Sequence, residues 1–206
     1  MNKIIIYLII SDILILSAFG LISPIFAIYL NEGLAGGIAA AGLASTIYFL
    51  VKSLVQLPLS IWIDKKRGKL SFLLIGTLLI VAVPIMYAFS PNVKFIYLAQ
   101  AIYGIGSAMA YPAWYSLFTM HIDKKHRGLE YSIWSTGVGI GTALTAYAGA
   151  LFAESFGFQN LFLIVALISF IGLIVLFLLS NKFLKDIKET EEIFLNKAGH
   201  FLNHRK

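Results

Sequence analysis

Long apolar runs, separated by brief polar gaps, dominate the chain. A helix needs about 20 mostly apolar residues to cross the hydrocarbon slab. Six stretches meet that length: Ile4–Leu30, Leu34–Ile63, Leu70–Phe89, Val93–Met120, Leu129–Ala153 and Phe158–Ser180. The gaps are short: "NEG", "DKKRGK", "SPN", "HIDKKHRG" and "ESFGFQ". Short gaps make successive helices antiparallel neighbours. The pattern therefore predicts an all-α membrane protein, a single six-helix transmembrane bundle over residues 1–180. Pro24, Pro58, Pro84 and Pro112 fall inside the runs. A packed membrane bundle tolerates them, because neighbouring groups satisfy the freed carbonyls. After Ser180 the pattern changes. Phe183, Leu184, Ile187, Phe194, Leu195, Ala198, Phe201 and Leu202 recur at helical spacing between charged residues. Residues 181–206 are thus expected to form a cytoplasmic amphipathic helix, on the inner leaflet or against the bundle.

Composition points the same way. The chain is 59% hydrophobic and 13% charged, where a soluble domain carries roughly 25% charged residues. Mean hydropathy is +0.86, so the lipid bilayer is the expected solvent. The net charge of +6 would suggest nucleic acid in a soluble chain. Here the cations lie in short gaps with no folded basic face, and no nucleic-acid partner is expected. Their distribution sets orientation instead. Lys65, Lys66, Arg67 and Lys69 fill the second gap, and Lys124, Lys125 and Arg127 the fourth. The tail is also basic, while the other three gaps hold only Lys94. Positive loops stay cytoplasmic, so both termini are expected inside the cell membrane, with Glu32 and Glu154 outside. The first run is too long for the h-region of a signal peptide, about 7–15 residues.

Chemistry is sparse. There is no cysteine, which excludes disulfides, thiolate metal sites and a thiol nucleophile. His121 and His126 lie in a gap and His200 and His204 in the tail, so no span offers a base. No paired carboxylates or metal-ligand spacings occur. An enzyme is not expected, nor is a catalytic residue, a metal or a cofactor. The fourth run carries Gln100, Tyr103, Ser107, Tyr111 and Trp114 at spacings that place them on one helical stripe. Gln100 and Ser107 would be unsatisfied against lipid, so the stripe is expected to face protein or a water-filled cavity. Ordinary helix packing, with Trp114 at the bilayer interface, is the plainer alternative. Gly137, Gly141, Thr145 and Gly149 recur every fourth residue in the fifth run, a pattern for close helix packing. Two charges lie deep in spans. At 1.5 Å per residue, Asp12 sits about 14 Å from Lys3 and Lys52 about 18 Å from Asp64. Charges at that depth are costly and suggest function. The alternatives are snorkelling by Lys52 and a shallow first helix. Their similar depth, on spans joined by a short turn, predicts that Asp12 and Lys52 interact directly or through water.

Several motifs together carry a resemblance. "SIWIDKKRGK" resembles the loop between helices 2 and 3 of the major facilitator superfamily, with Ser60 where a glycine is usual. Asp64, Lys65, Gly68 and Lys69 match that loop's pattern, with one extra residue before Gly68. "QAIYGIGSAMA" resembles the family's helix 4, Gly104 and Gly106 matching and Gln100 replacing an arginine. "RGLEYSIWSTGVGIG" resembles the entry to helix 5, and "FGFQNLFLI" the entry to helix 6. The family's antiporters often carry a Gly-Pro pair in helix 5, and no proline lies between Tyr131 and Ala153.

The resemblance implies a secondary transporter that moves a small solute by alternating access. It also implies that helix 4 lines the central cavity, and that Asp64 sits against a helix of an opposite bundle to hold one access state. The family typically has twelve helices in two bundles, and this chain resembles one, the N-terminal half. A homodimer or a second six-helix half is then the expected partner, and the chain is a free-standing half or a truncated one. The alternative is a non-transporting membrane interaction protein, or a degenerate half-transporter subunit.

Overall fold

The computed structural model describes residues 1–65 and 68–203, with side chains up to residue 196. The described residues form helix α1 (Lys3–Gly20), the short α2 (Phe26–Ile28), a π-turn over Tyr29–Gly33, then α3 (Gly37–Lys65), α4 (Lys69–Ala88), α5 (Val93–His121) and α6 (Arg127–Asn203). Two starts are capped by asparagine. The Asn2 side chain accepts from the Ile4 N–H at 3.1 Å, and Asn92 from the Phe95 N–H at 3.1 Å. Each satisfies a backbone donor that the first turn leaves open.

The first apolar run is not one continuous helix. It stops at Gly20, turns over Pro24, and continues as α2 and the π-turn. Proline has no N–H to continue the ladder and clashes with the preceding turn. Elsewhere Pro58, Pro84 and Pro112 sit inside helices, as expected for a packed bundle.

The fifth and sixth runs are joined in one long helix, α6, but Gly157 breaks it with φ 81° and ψ 163°. That backbone conformation is open essentially only to glycine. The contacts of α1 read out the fold-back. Along the first arm, residues 127–156, Asp12 meets Trp134, Ser17 meets Gly141 and Leu21 meets Gly149. Numbers rise together, so α1 and this arm are parallel. Along the second arm, Tyr29 meets Phe162, Ile15 meets Gly172 and Tyr7 meets Phe183. Here one number rises as the other falls. The two arms are therefore antiparallel, and the described residues hold six membrane-length spans.

α1 lies between the two arms of α6, α4 packs on α5 and on the second arm, and α3 packs along α5. The first and second spans are thus not the close neighbours expected from the short gap joining them. α4 and α5 cross where Gly76 meets Gly106, and a methyl on Gly76 would lie 2.7 Å from the Gly106 carbonyl oxygen. Two apolar cores form. One, around Leu8, Leu117, Phe118 and Leu179, lies toward the end that holds Lys65 and Lys69. The other, around Leu30, Tyr87, Ile96 and Phe162, lies toward the opposite end.

The 181–196 stretch continues the second arm without a break. Ile187 and Glu191 on it are buried. Glu191 reaches the start of α4, where Oε2 accepts the Gly68 N–H at 2.7 Å and Oε1 the Lys69 N–H at 2.9 Å. A carboxylate on open N–H donors at the positive end of a helix dipole is a favourable cap.

Candidate functional site

A groove runs between α3 and the first arm of α6, with α1 and α5 as its floor. Three adjoining cavities all have Leu16 in their walls, and Tyr103, Tyr111 and Val138 are each shared by two of them. The two larger measure about 330 and 430 Å³. Gly104 sets the spacing of this floor. A methyl there would lie 2.9 Å from the Tyr48 carbonyl oxygen and 3.1 Å from the Lys52 backbone nitrogen, so α3 can sit this close to α5 only because the side chain is absent.

The sequence stripe on α5 divides along this groove. Gln100 and Tyr103 line the larger cavity, with Ser45 on α3 and Thr142 on the first arm opposite. Tyr103 is sandwiched between Phe19 and Tyr48, stacked on both, with ring centroids 5.0 and 4.5 Å away. Tyr111 lines the two smaller cavities. Ser107 is fully buried and takes the Tyr48 hydroxyl at 3.4 Å. Trp114 is buried too, not set at an interface. Its ring stacks on Phe118 and its Nε1 donates to the Leu8 carbonyl at 3.3 Å.

Asp12 and Lys52 both reach this groove, but among the described residues they form no ion pair. The Asp12 Oδ2 accepts the Trp134 Nε1–H at 2.6 Å. The Lys52 ammonium lies 4.4 Å from the Tyr111 ring centroid and 5.7 Å from that of Tyr48. Of the interaction expected from matched depth, direct or through water, the direct form is not made, and each charge has an aromatic partner instead. The packing order accounts for this: α3 packs on α5 rather than on α1, so Lys52 meets Tyr48 and Tyr111 while Asp12 meets Trp134. Sequence reading missed Trp134, Tyr48 and Gln56. Trp134 carried one signal, its place a few residues into the fifth run.

At the loop, Asp64 and Lys65 are the exposed last turn of α3. Among the described residues Asp64 makes no hydrogen bond or ion pair. Lys66 and Arg67 lie outside the described residues. Gly68 adopts φ 89°, and the buried Lys69 reaches back to the Ile63 carbonyl at 3.1 Å. The carboxylate that caps the start of α4 is Glu191, another residue that sequence reading passed over. In the matching loop after α5, His126 Nδ1 and the Lys125 N–H bond Asp123 at 2.8 and 2.9 Å. Those donors hold the exposed Asp123 carboxyl below the usual carboxylate range.

The sequence model described as Major Facilitator Superfamily matches residues 8–205. Multidrug resistance protein MdtG of Proteus mirabilis (strain HI4320) is 26% identical over 187 residues, covering 86% of this chain and 46% of that protein. The chain thus spans about half of that relative's length. The crystal structure of peptide transporter POT in complex with sulfate superposes with a TM-score of 0.77 at 17% identity, over 99% of this chain and 45% of that one. The in meso crystal structure of the POT family transporter PepTSo gives 0.75 at 18% identity, over 88% and 38%. These two likenesses establish the fold.

Proposed function

The chain belongs to the major facilitator superfamily, and from that premise we propose that it moves a small solute across the cell membrane by alternating access, paired with a second six-helix bundle. It is a carrier, not an enzyme. The observation that carries this reading is the groove. It is floored by α1 and α5, contains Asp12 and Lys52, and is open along one side in a chain about half as long as its relative. A solute path that opens alternately to the two sides needs a second wall. That wall is a second six-helix bundle, a second copy of this one or another half, whether or not it belongs to the same polypeptide. Asp64, exposed and without a partner among the described residues, is free to meet that bundle's helix ends as a gate. The alternating basic gaps support cytoplasmic termini, with residues 181–206 on the inner side.

The test is the mass of the purified particle in detergent, followed by solute uptake into proteoliposomes. Two bundles per particle and uptake are the expected result. A particle of one chain that still transports would overturn the pairing. A paired particle that moves none of a broad solute panel would favour a non-transporting interaction protein.

A further inference from the structure

The cavity of about 330 Å³ has an unusual wall. Lys52 is its one charged lining residue, and Gln56, Ser135, Tyr111 and Tyr115 bring further hydrogen-bond donors. Trp134 and the two tyrosines supply flat apolar surface. The Lys52 ammonium lies against the Tyr111 ring face, and among the described residues no oxygen accepts any of its three N–H bonds. Ring faces hold a cation in place, but they leave its donors unfilled. The carboxylate of Asp12 is bonded to the Trp134 indole and does not line this cavity. A cationic solute entering here is repelled by Lys52. A carboxylate finds a charge-assisted donor, and a ring attached to it finds aromatic walls. The volume fits a small organic molecule, above the lower bound of about 300 Å³ for such sites.

We propose that this cavity is a subsite for an organic anion, an aromatic carboxylate whose oxygens bond Lys52 and whose ring packs against Tyr111, Tyr115 and Trp134. The proposal deepens the reading of the groove as the solute path and rests on it. It is tested by equilibrium binding, which requires no transport.

The full chain in phosphatidylcholine nanodiscs is titrated with 4-nitrobenzoate, with tryptophan fluorescence as the readout. The neutral 4-nitrobenzamide and the cationic 4-nitrobenzylammonium are run as isosteres. Saturable quenching by the carboxylate is expected, with the amide about tenfold weaker, the loss of one hydrogen bond to a charged group. Lys52→Met should reduce the carboxylate to the level of the amide, and Lys52→Arg should retain binding. Equal binding of carboxylate and amide, tighter binding of the ammonium compound, or an unchanged affinity in a folded Lys52→Met would overturn the proposal. If Lys52→Met does not fold, the isostere comparison on the unaltered chain decides alone. Binding without uptake would count against the carrier reading and leave the subsite standing.

Discussion

The first arm of α6 meets two helices in two different ways. Toward α1 it presents Gly137, Gly141 and Gly149, and the helices touch backbone to backbone. A methyl on Gly141 would strike the Ser17 hydroxyl, and one on Gly149 the Leu21 main chain. Toward α3 the same arm presents Trp134, Ser135, Val138 and Thr142, and there a groove remains. Lipid is as apolar as leucine, so helix pairing in the bilayer depends on close approach and not on hydrophobic burial. Small residues on the arm and on α1 therefore let one seam close, while a groove remains on the α3 side. The largest expected effect tests this directly. Gly149→Ala should destabilise by about 3 kcal/mol, the upper end for overpacking, because the Leu21 backbone cannot yield as a side chain could. Gly139→Ala on the same arm, where a methyl meets nothing within 4 Å, should be neutral. Thermal unfolding in detergent reads both, and equal losses would break the contrast.

The closed side extends beyond the membrane spans to the start of α4. There the two Glu191 bonds tie residue 191 to residues 68 and 69, across more than half the chain. Glu191→Gln keeps one acceptor oxygen and loses the charge. It should lower stability by about 2 kcal/mol, the value of a hydrogen bond to a charged group. Glu189→Gln, at an exposed position on the same helix, is the control. A similar loss at both positions would mean that the tail is not fastened by this cap.

The spans were legible because apolar length is a direct demand of the bilayer. Their boundaries were less so: Pro24 ended the first helix early, while no gap signal revealed that only Gly157 separates the last two. The glycine seam could be read from spacing, since small residues at every fourth position line one helix face and let a second backbone touch it. Its partner could not, because adjacency in sequence pointed to the first and second spans, whereas α1 lies between the arms of α6. Glu191 was readable in principle. It stands four residues after the buried Ile187, an acid on the apolar stripe of an amphipathic helix, and a buried acid needs donors. The link of Asp12 to Trp134 joins residues 122 apart in the chain, and nothing local encodes it.

The smallest effect decides what holds the charges of the open groove. If depth alone governed them, Asp12 and Lys52 would couple to each other. In the structure each charge is held by rings instead. A double-mutant cycle of Asp12→Ala with Trp134→Phe should show a coupling of about 1.5 kcal/mol in unfolding free energy, the lower value for a hydrogen bond to a charged group. The cycle of Asp12→Ala with Lys52→Met should stay below about 0.5 kcal/mol, the additive limit for sites without shared contacts. Trp134→Phe keeps an aromatic ring beside Trp114 but removes part of the indole with its N–H; the lost packing enters both arms of the cycle and cancels, so the coupling isolates the bond to Asp12. A larger Asp12–Lys52 coupling than Asp12–Trp134 would mean that the two charges pair after all. The groove would then present a neutral pair to a solute, and the contrast between a closed seam and a charged open one would fail.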